Sequence, residues 1–313
     1  MIPHAGAFKP GHKPFAIGLR PLGDDPWIEP EPSLGYYLAV KEVLFSTDLP
    51  KVWMARGDTE TAQAECLDLL ISHLTDRHSD TYEPIKNGVR LGSEDLHFGS
   101  EPPLLFASRL VADDLVLMRK CDDGWRLVAA SLCFPSSWSL AEKFDRPMEA
   151  IHEPVPDYEG RMGALINRVF DNLKPDLPVY RYNWSIYDTV DLHRPEPHEN
   201  RSFRFGTSLE PERVFIRTER QTLAKMPESG DILFTIKISA ASQADLASRS
   251  QLWRDAFAGL ADQIEGMTEP QLEYKSIADH RDKLLRLLLA APVGKAPGSS
   301  ISEGLDHAEQ RST

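Results

Sequence analysis

Two β-hairpin signals constrain the fold of this chain more than any other feature of its sequence. Apolar runs at 114–119 and 125–132 flank Asp122-Asp123-Gly124, a combination that favours a tight reversal between antiparallel strands. A second pair of runs, 214–223 and 232–238, brackets a segment that contains Pro227 and Gly230. Together with an aromatic edge strand at 179–187, they predict an antiparallel sheet of about five strands.

Helical periodicity precedes, interrupts and follows these strands. The clearest case is 161–173, where apolar residues recur at the spacing of one helix face. Further helices are predicted at 34–44, 59–74, 104–110, 242–261 and 269–290. The sequence therefore predicts an α+β fold, in which helices elaborate an antiparallel sheet at both ends.

The composition divides the chain into three predicted regions. Residues 1–32 are rich in proline and glycine, which predicts an extended arm that lies across the body of the protein. Residues 33–291 are expected to form a single domain, because a stretch of this length can bury a substantial core. Residues 292–313 are rich in glycine, serine and charge and are expected to be disordered.

Charge and cysteine content exclude several classes of function. The formal net charge of −13 argues against nucleic acid as a partner, since phosphate binding needs a basic surface. No apolar run approaches the length of about 18 residues that a membrane span needs, and the chain has no secretory signal pattern. The three cysteines, Cys66, Cys121 and Cys133, are far apart and form no C-x-x-C motif. They argue against a zinc cage or a cysteine-ligated iron–sulfur cluster and favour the reducing cytoplasm.

One stretch presents a histidine on stiff, partly apolar backbone. Ser139 and Glu142 have the spacing of a capping box, so a short helix should start there, and Pro147 is expected to end it. His152 then lies in a segment that Pro154 is expected to hold extended. A histidine presented in this way suits a metal or haem ligand. The alternative is a structural histidine whose ring nitrogens bond to the backbone.

The sequence lacks the common signatures of other cofactors. It contains neither G-x-G-x-x-G nor G-x-x-x-x-G-K, which argues against a Rossmann or P-loop nucleotide site. Haem demands less of a sequence, because it needs one axial ligand, a flat apolar slot and cations for its propionates.

Three blocks of the sequence resemble the haem-dependent oxidative N-demethylase family, to which the haem subunit of dimethylamine monooxygenase belongs. The blocks are Leu132-Cys133-Phe134-Pro135-Ser136 with Ile151-His152-Glu153-Pro154-Val155-Pro156, Tyr182-Asn183-Trp184-Ser185-Ile186, and Arg217-Thr218-Glu219-Arg220-Gln221-Thr222-Leu223. The resemblance spans about residues 30–290. It implies a PAS-like core that binds haem b, with its iron, and a monooxygenase activity on a small secondary amine such as dimethylamine. The implied reaction uses O2 and electrons from a separate flavin or iron–sulfur reductase, and it releases formaldehyde and the shorter amine.

Candidate haem contacts follow from this resemblance. His152 is predicted to be the axial iron ligand, with His193 as the runner-up. Arg217 and Arg220 are favoured as partners of the propionates and Arg181 is less favoured, since guanidinium groups pair bidentately with carboxylates. Strand alternation places Arg217 and Arg220 on opposite faces, so both can reach one pocket only if a bulge intervenes. The alternative for these arginines is a solvated strand face.

The amine site is predicted from the same blocks. A secondary amine is protonated at neutral pH, so Glu219 is the candidate carboxylate that binds it. Tyr182 and Trp184 alternate to one face of their strand and could form an aromatic wall around the cation. The alternative for these two aromatic residues is packing in the core.

Two other functions are compatible with the sequence. One is a haem-binding PAS module that senses gas or redox state without catalysis. Sensors commonly carry an output domain or a coiled coil, and the closing helices of this chain show no sustained heptads, so the enzyme is favoured. The other is an α+β scaffold without a cofactor, which composition alone permits.

Overall fold

The centre of the protein is a seven-stranded sheet. The computed structural model describes residues 1–9, 11, 13, 15–156, 161–196, 204–205 and 209–290. The strands are β1 (Arg20–Pro21), β2 (Trp53–Ala55), β3 (Tyr82–Ile85), β4 (Gly88–Leu91), β5 (Glu94–His97), β6 (Asp114–Cys121), β7 (Gly124–Ser131), β8 (Val179–Tyr187), β9 (Phe215–Lys225) and β10 (Ile232–Ser242). The large sheet has the order β1-β8-β9-β10-β6-β7-β2, and β3-β4-β5 form a small separate sheet. Every strand pair is antiparallel, so the predicted mixed fold with an antiparallel sheet is confirmed.

Both predicted hairpins are present, and their pairing with each other builds the centre of the sheet. β6 and β7 reverse between Cys121 and Gly124, and Gly124 has a φ of 118°, which glycine adopts without strain. β9 and β10 pair along their whole length. β10 then pairs with β6, so that the last strand of one hairpin lies beside the first strand of the other.

The sheet is larger than the five strands predicted, for two physical reasons. β1 and β2 contain only two and three residues, too few for an alternating pattern to be recognised. The small sheet lies in a segment whose polarity gave no strand signal. One face of this sheet carries ion pairs between Arg90 and both Glu83 and Asp95, and each strand has only four residues, so the alternating pattern was too short to recognise.

Eleven α-helices surround the sheet in the described part of the chain. They are α1 (Leu34–Thr47), α2 (Leu49–Val52), α3 (Glu60–Arg77), α4 (Pro103–Ser108), α5 (Leu140–Lys143), α6 (Met148–His152), α7 (Arg161–Asn172), α8 (Gln243–Ala247), α9 (Gln251–Glu265), α10 (Glu269–Tyr274) and α11 (Arg281–Leu289). None of these described helices is long and apolar enough to cross a membrane. The predicted helices at 34–44, 59–74, 104–110 and 161–173 are confirmed.

The two long helices predicted near the end of the chain are each broken in two. α8 and α9 are separated at Ser250, whose extended backbone marks the start of a new helix. α10 ends at Lys275, and Ser276 follows with a φ of 56°, a left-handed conformation that terminates a helix. Residues 292–313, predicted to be disordered, lie outside the described residues.

The N-terminal segment is folded back onto the body of the protein at two places. Ala5–Phe8 form a short 3-10 helix, and Phe8 is fully buried beside Trp184 and Trp253. Further along, Arg220 donates hydrogen bonds to the carbonyls of Pro26 and Trp27. Between these two anchors, Arg20 and Pro21 pair with β8 at the edge of the large sheet.

Candidate functional site

A cavity of about 400 Å³ lies between one face of the large sheet and the helices α5 to α7. This volume is in the range of small-molecule and cofactor sites. We call this side of the sheet the front face, and the opposite side the back face. The N-terminal segment at 15–20 closes part of the rim.

Strand alternation explains the lining of the cavity. Because successive side chains point to opposite faces, every second residue of β6 to β10 reaches the front face. The apolar part of this floor comprises Val116, Met118, Leu127, Leu223, Phe234 and Ile236. The apolar roof, from α5 to α7 and their connections, includes Trp138, Met148, Ile151, Val155, Met162, Ile166 and Phe170. Two apolar layers thus enclose a slot.

The polar part of the floor is concentrated on two strands. Arg181 and Asn183 of β8 lie opposite Gln221 and Glu219 of β9 in the sheet register. All four line the cavity. One end of the slot is therefore polar and the remainder is apolar.

His152 reaches the cavity from the roof, but from a helix and not from extended backbone. It is the last residue of α6, and Pro147 precedes this helix as its N-cap. The expectation that Pro154 holds this segment extended was wrong, because Glu153, directly before Pro154, has helical φ of −45° and ψ of −41°. Pro147 starts the helix, where its missing N–H is not needed. The capping box of Ser139 and Glu142 is confirmed at the start of α5.

The hydrogen bond of the His152 ring defines its tautomer. Nδ1 lies 3.0 Å from the carbonyl oxygen of Met148, and a carbonyl only accepts, so Nδ1 carries the proton. Burial lowers the pKa of His152 to about 4; the bond to Met148 opposes this shift, while Lys143 and Arg181 add to it. The ring is therefore neutral at pH 7, with the lone pair on Nε2. This is the state in which histidine binds a metal.

Arg181 is a cation of the cavity floor with an unused hydrogen-bond donor. Its Nε is buried and has no hydrogen-bond partner among the described residues. Burial lowers the pKa of Arg181 from its ordinary value, and the attraction of Glu219 opposes that shift. A buried guanidinium with an open donor is suited to bind an anionic group.

Arg217 and Arg220 are placed differently from Arg181. Arg217 is 1% exposed and donates to the carbonyls of Phe134, Pro135, Asp191 and Leu192. Arg220 lies on the back face, where it pairs with Glu29 at 3.1 Å. In the described structure neither guanidinium lines the cavity. The predicted alternation of the two arginines is present, without a bulge between them.

Glu219 lies at the polar end of the slot. Its side chain is buried, and Oε2 accepts hydrogen bonds from Gln221 at 2.7 Å and from Asn183 at 3.3 Å. Asn183 Oδ1 in turn accepts a bond of 3.1 Å from Lys275 Nζ. The carboxylate is thus held by neutral amides and borders the cavity.

Tyr182 and Trp184 share one face of β8, but it is the face opposite to Arg181 and Asn183. Both are nevertheless among the residues that line the cavity, together with residues of α9 and α10. Trp184 is also part of a core cluster, and its indole donates to Gln263 at 2.7 Å. Tyr182 stacks on His4 with ring centroids 4.8 Å apart. The two residues therefore combine core packing with a place on the cavity wall.

His193 makes the same kind of bond as His152, but elsewhere. Its Nδ1 lies 2.7 Å from the carbonyl of Cys133. In the described structure His193 is not part of the cavity lining. The geometry thus brings together His152, Arg181, Glu219, Tyr182 and Trp184 around one cavity and leaves out His193, Arg217 and Arg220.

Sequence reasoning missed two polar residues of the site. Asn183 had a usable signal, since alternation places it on the same face as Arg181 and it pairs with Glu219. Lys275 had none, because it is 92 residues away from its partner Asn183. Among the described residues, no group of three or more histidine, cysteine, aspartate or glutamate side chains comes together as a metal-binding set.

Comparison with known families gives one finding. A family model described as "Haem-dependent oxidative N-demethylase, alpha subunit-like" matches residues 18–285, which is most of the chain.

Proposed function

The chain belongs to the haem-dependent oxidative N-demethylase alpha-subunit-like family, and from this premise we propose that its cavity binds haem b and demethylates a small secondary amine of the dimethylamine type. The observation that carries the proposal is a single cavity that combines a neutral imidazole, a buried guanidinium with an open donor, and a carboxylate.

The residues present fit a haem. The porphyrin supplies four nitrogen ligands, so the protein needs to add one, and Nε2 of His152 carries the lone pair for it. The two apolar layers of the slot suit a flat macrocycle. Arg181 offers a charged donor to a propionate. On this basis we assign the propionate role to Arg181 in preference to Arg217 and Arg220, whose guanidinium groups are occupied elsewhere.

The strand arrangement supports a PAS-like core. β7, β6, β10, β9 and β8 form the centre of the sheet, and α5 to α7 are inserted between β7 and β8. The inserted helices face the front of the sheet across the cavity. A flat cofactor would thus be held between the sheet and these helices.

Haem, when bound, supplies the activation of O2 that no side chain provides. The polypeptide binds and orients the amine. The negative charge of Glu219 attracts a secondary ammonium ion, whose N–H groups can donate to it. Tyr182 and Trp184 add ring faces that favour a cation. The apolar layers exclude water from the slot.

The overall reaction needs a partner that supplies electrons. The amine, O2, two electrons and two protons yield the shorter amine, formaldehyde and water. The sequence carries no nucleotide-binding or iron–sulfur motif for electron delivery. A separate flavin or iron–sulfur reductase therefore belongs to the proposal, in keeping with the alpha-subunit-like description of the family.

The proposal is tested on the purified full-length chain with added haemin. We expect a Soret band at one haem per chain. With dimethylamine, O2 and a surrogate reductase we expect equal amounts of formaldehyde and methylamine. Haem binding without formaldehyde would favour the non-enzymatic sensor, and a chain that does not take up haemin would exclude both haem functions.

A further inference from the structure

We propose that Lys275 and Asn183 are positioning residues that aim one oxygen of Glu219 into the cavity, where it binds the ammonium group of the substrate. This inference rests on the proposed function. It concerns three side chains that are linked by hydrogen bonds: Lys275 after α10, Asn183 on β8 and Glu219 on β9.

The first step of the argument is the fixed direction of the Asn183 amide. An ammonium group only donates hydrogen bonds. Lys275 Nζ lies 3.1 Å from Asn183 Oδ1, so this contact requires the oxygen of the amide to face the lysine. The Nδ2 group must then face Glu219, from which it lies 3.3 Å away. Without Lys275, the amide oxygen would lose its charged donor, and the bond to Glu219 alone would hold the Asn183 side chain.

The second step is the unequal use of the two Glu219 oxygens. Asn183 and Gln221 both donate to Oε2. Oε1 accepts no hydrogen bond from any described residue, and Glu219 borders the cavity. A carboxylate that is anchored through one oxygen presents the other at a defined place. That second oxygen is available to an N–H group of a cationic substrate.

The third step concerns how Lys275 is itself held. Its Nζ also donates to the carbonyl of Trp184 at 2.5 Å and lies 4.7 Å from the centre of the Trp184 ring. The lysine is 9% exposed. A charged donor fixed in this way has little freedom to leave Asn183. The same contacts could serve only the stability of β8, so the experiment must separate a structural effect from an effect on Glu219.

The experiment measures the affinity of the haem-loaded chain for dimethylammonium chloride by calorimetric titration. The variants are Glu219→Gln, Lys275→Met, Asn183→Leu and the double variant of Glu219→Gln with Lys275→Met. Lys120→Met is the matched control, because Lys120 is an exposed lysine paired with Asp171. The Soret absorbance per chain reports whether haem binding is retained.

We expect Lys275→Met and Asn183→Leu each to weaken binding about tenfold, the loss of one bond to a charged group. Lys120→Met should bind as the wild type does. In the Glu219→Gln background, Lys275→Met should cause no further loss, because the lysine acts through the carboxylate. If Lys275→Met does not fold, the amine affinity of Asn183→Leu tests the inference instead.

The outcomes separate this inference from the proposed function. If Glu219→Gln binds the amine as well as the wild type, the amine site of the proposed function is wrong and the inference falls with it. If Glu219→Gln weakens binding while Lys275→Met and Asn183→Leu do not, only the inference is overturned. Additive losses in the double variant would also overturn it, because they would indicate a structural role for Lys275.

Discussion

Two histidines of this chain make almost the same local bond, and only their surroundings differ. The Nδ1 atoms of His152 and His193 each contact a backbone carbonyl, so in both rings the lone pair is on Nε2 when the ring is neutral. The roof of the cavity surrounds His152, whereas His193 is outside the described lining. Either ring can thus offer Nε2 to a metal, and the two differ in that His152 lines the cavity and His193 is outside its described lining.

Replacing these histidines tests that selection. His152→Ala should lose stoichiometric haem while the far-ultraviolet circular dichroism stays that of the wild type, because α6 is a short element at the cavity roof. His193→Ala removes an equivalent bond and should keep a full complement of haem. Haem is measured by its Soret absorbance per chain. A full haem complement in His152→Ala would place the axial ligand elsewhere.

The arginines show what local sequence leaves undetermined. Arg217 and Arg220 belong to the block that carries the family resemblance, and Arg181 lies outside it, yet it is Arg181 that borders the cavity. Arg217 is surrounded by carbonyls from the segments around Phe134 and Leu192. The contacts of Arg217 depend on which carbonyl groups the fold brings near it. Strand alternation predicts the face on which an arginine lies, but not the acceptors that it meets there.

At the scale of elements, the parts with a strong local pattern were predictable and the short ones were not. The hairpins β6–β7 and β9–β10 have turn residues and long apolar strands. α6 has five residues, and its status depends on how Pro147 is used. A proline can end a helix or start one, and the sequence around Pro147 is compatible with both. That ambiguity placed His152 on the wrong type of backbone, although His152 does line the cavity.

The packing of α9 against the N-terminal 3-10 helix gives an element-scale prediction. A Cβ atom on Gly259 would lie 1.8 Å from the carbonyl oxygen of Phe8. Gly259→Ala should therefore destabilise the protein by about 2 kcal/mol, because the 3-10 helix must move away, although alanine is the better helix former. Gly35→Ala in α1 meets no atom within 4 Å; it should be neutral or stabilise by about 0.5 kcal/mol. Urea unfolding measures both, and equal effects of the two changes would contradict this account.

At the scale of the whole molecule, the two faces of the sheet carry different kinds of polar residue. The front face lines the cavity and carries Glu219, which accepts hydrogen bonds from the side-chain amides of Asn183 and Gln221. On the back face, Glu29 of the N-terminal segment contacts Arg220 at 3.1 Å, His4 at 3.0 Å and Lys237 at 3.7 Å. Arg220 and the Trp27 carbonyl that it contacts are 193 residues apart in the chain. The sequence predicted an arm across the body, but contacts over such distances leave no local pattern from which its anchor could be read.

This division between the faces leads to a matched comparison of Glu29→Gln with Glu219→Gln. Glu29→Gln leaves the buried guanidinium of Arg220 without its carboxylate partner, whereas Lys237 keeps Glu31 at 2.9 Å. It should lower the free energy of unfolding by about 3 kcal/mol. Glu219→Gln replaces a carboxylate whose hydrogen bonds come from neutral amides and whose attraction to Arg181 acts without a direct ion pair. It should cost less, about 1 kcal/mol. The amine affinity should respond in the opposite order, with a loss in Glu219→Gln and none in Glu29→Gln. Urea unfolding and calorimetric titration with dimethylammonium chloride measure the two quantities.

The pH dependence of the Glu29 contribution provides the control for this comparison. Burial alone would raise the pKa of Glu29, but the hydrogen bond from His4 and the charges of Arg220 and Lys237 outweigh it and hold the pKa below its ordinary value of 4.5. A carboxylate with a lowered pKa stabilises the folded state above its unfolded pKa and loses that contribution as the pH falls through its folded pKa. The stability difference between wild type and Glu29→Gln should therefore shrink as the pH falls below 4.5. A difference that does not change with acidification would show that Glu29 acts through packing and not through its charge, and the back face would then not be the electrostatic anchor of the arm.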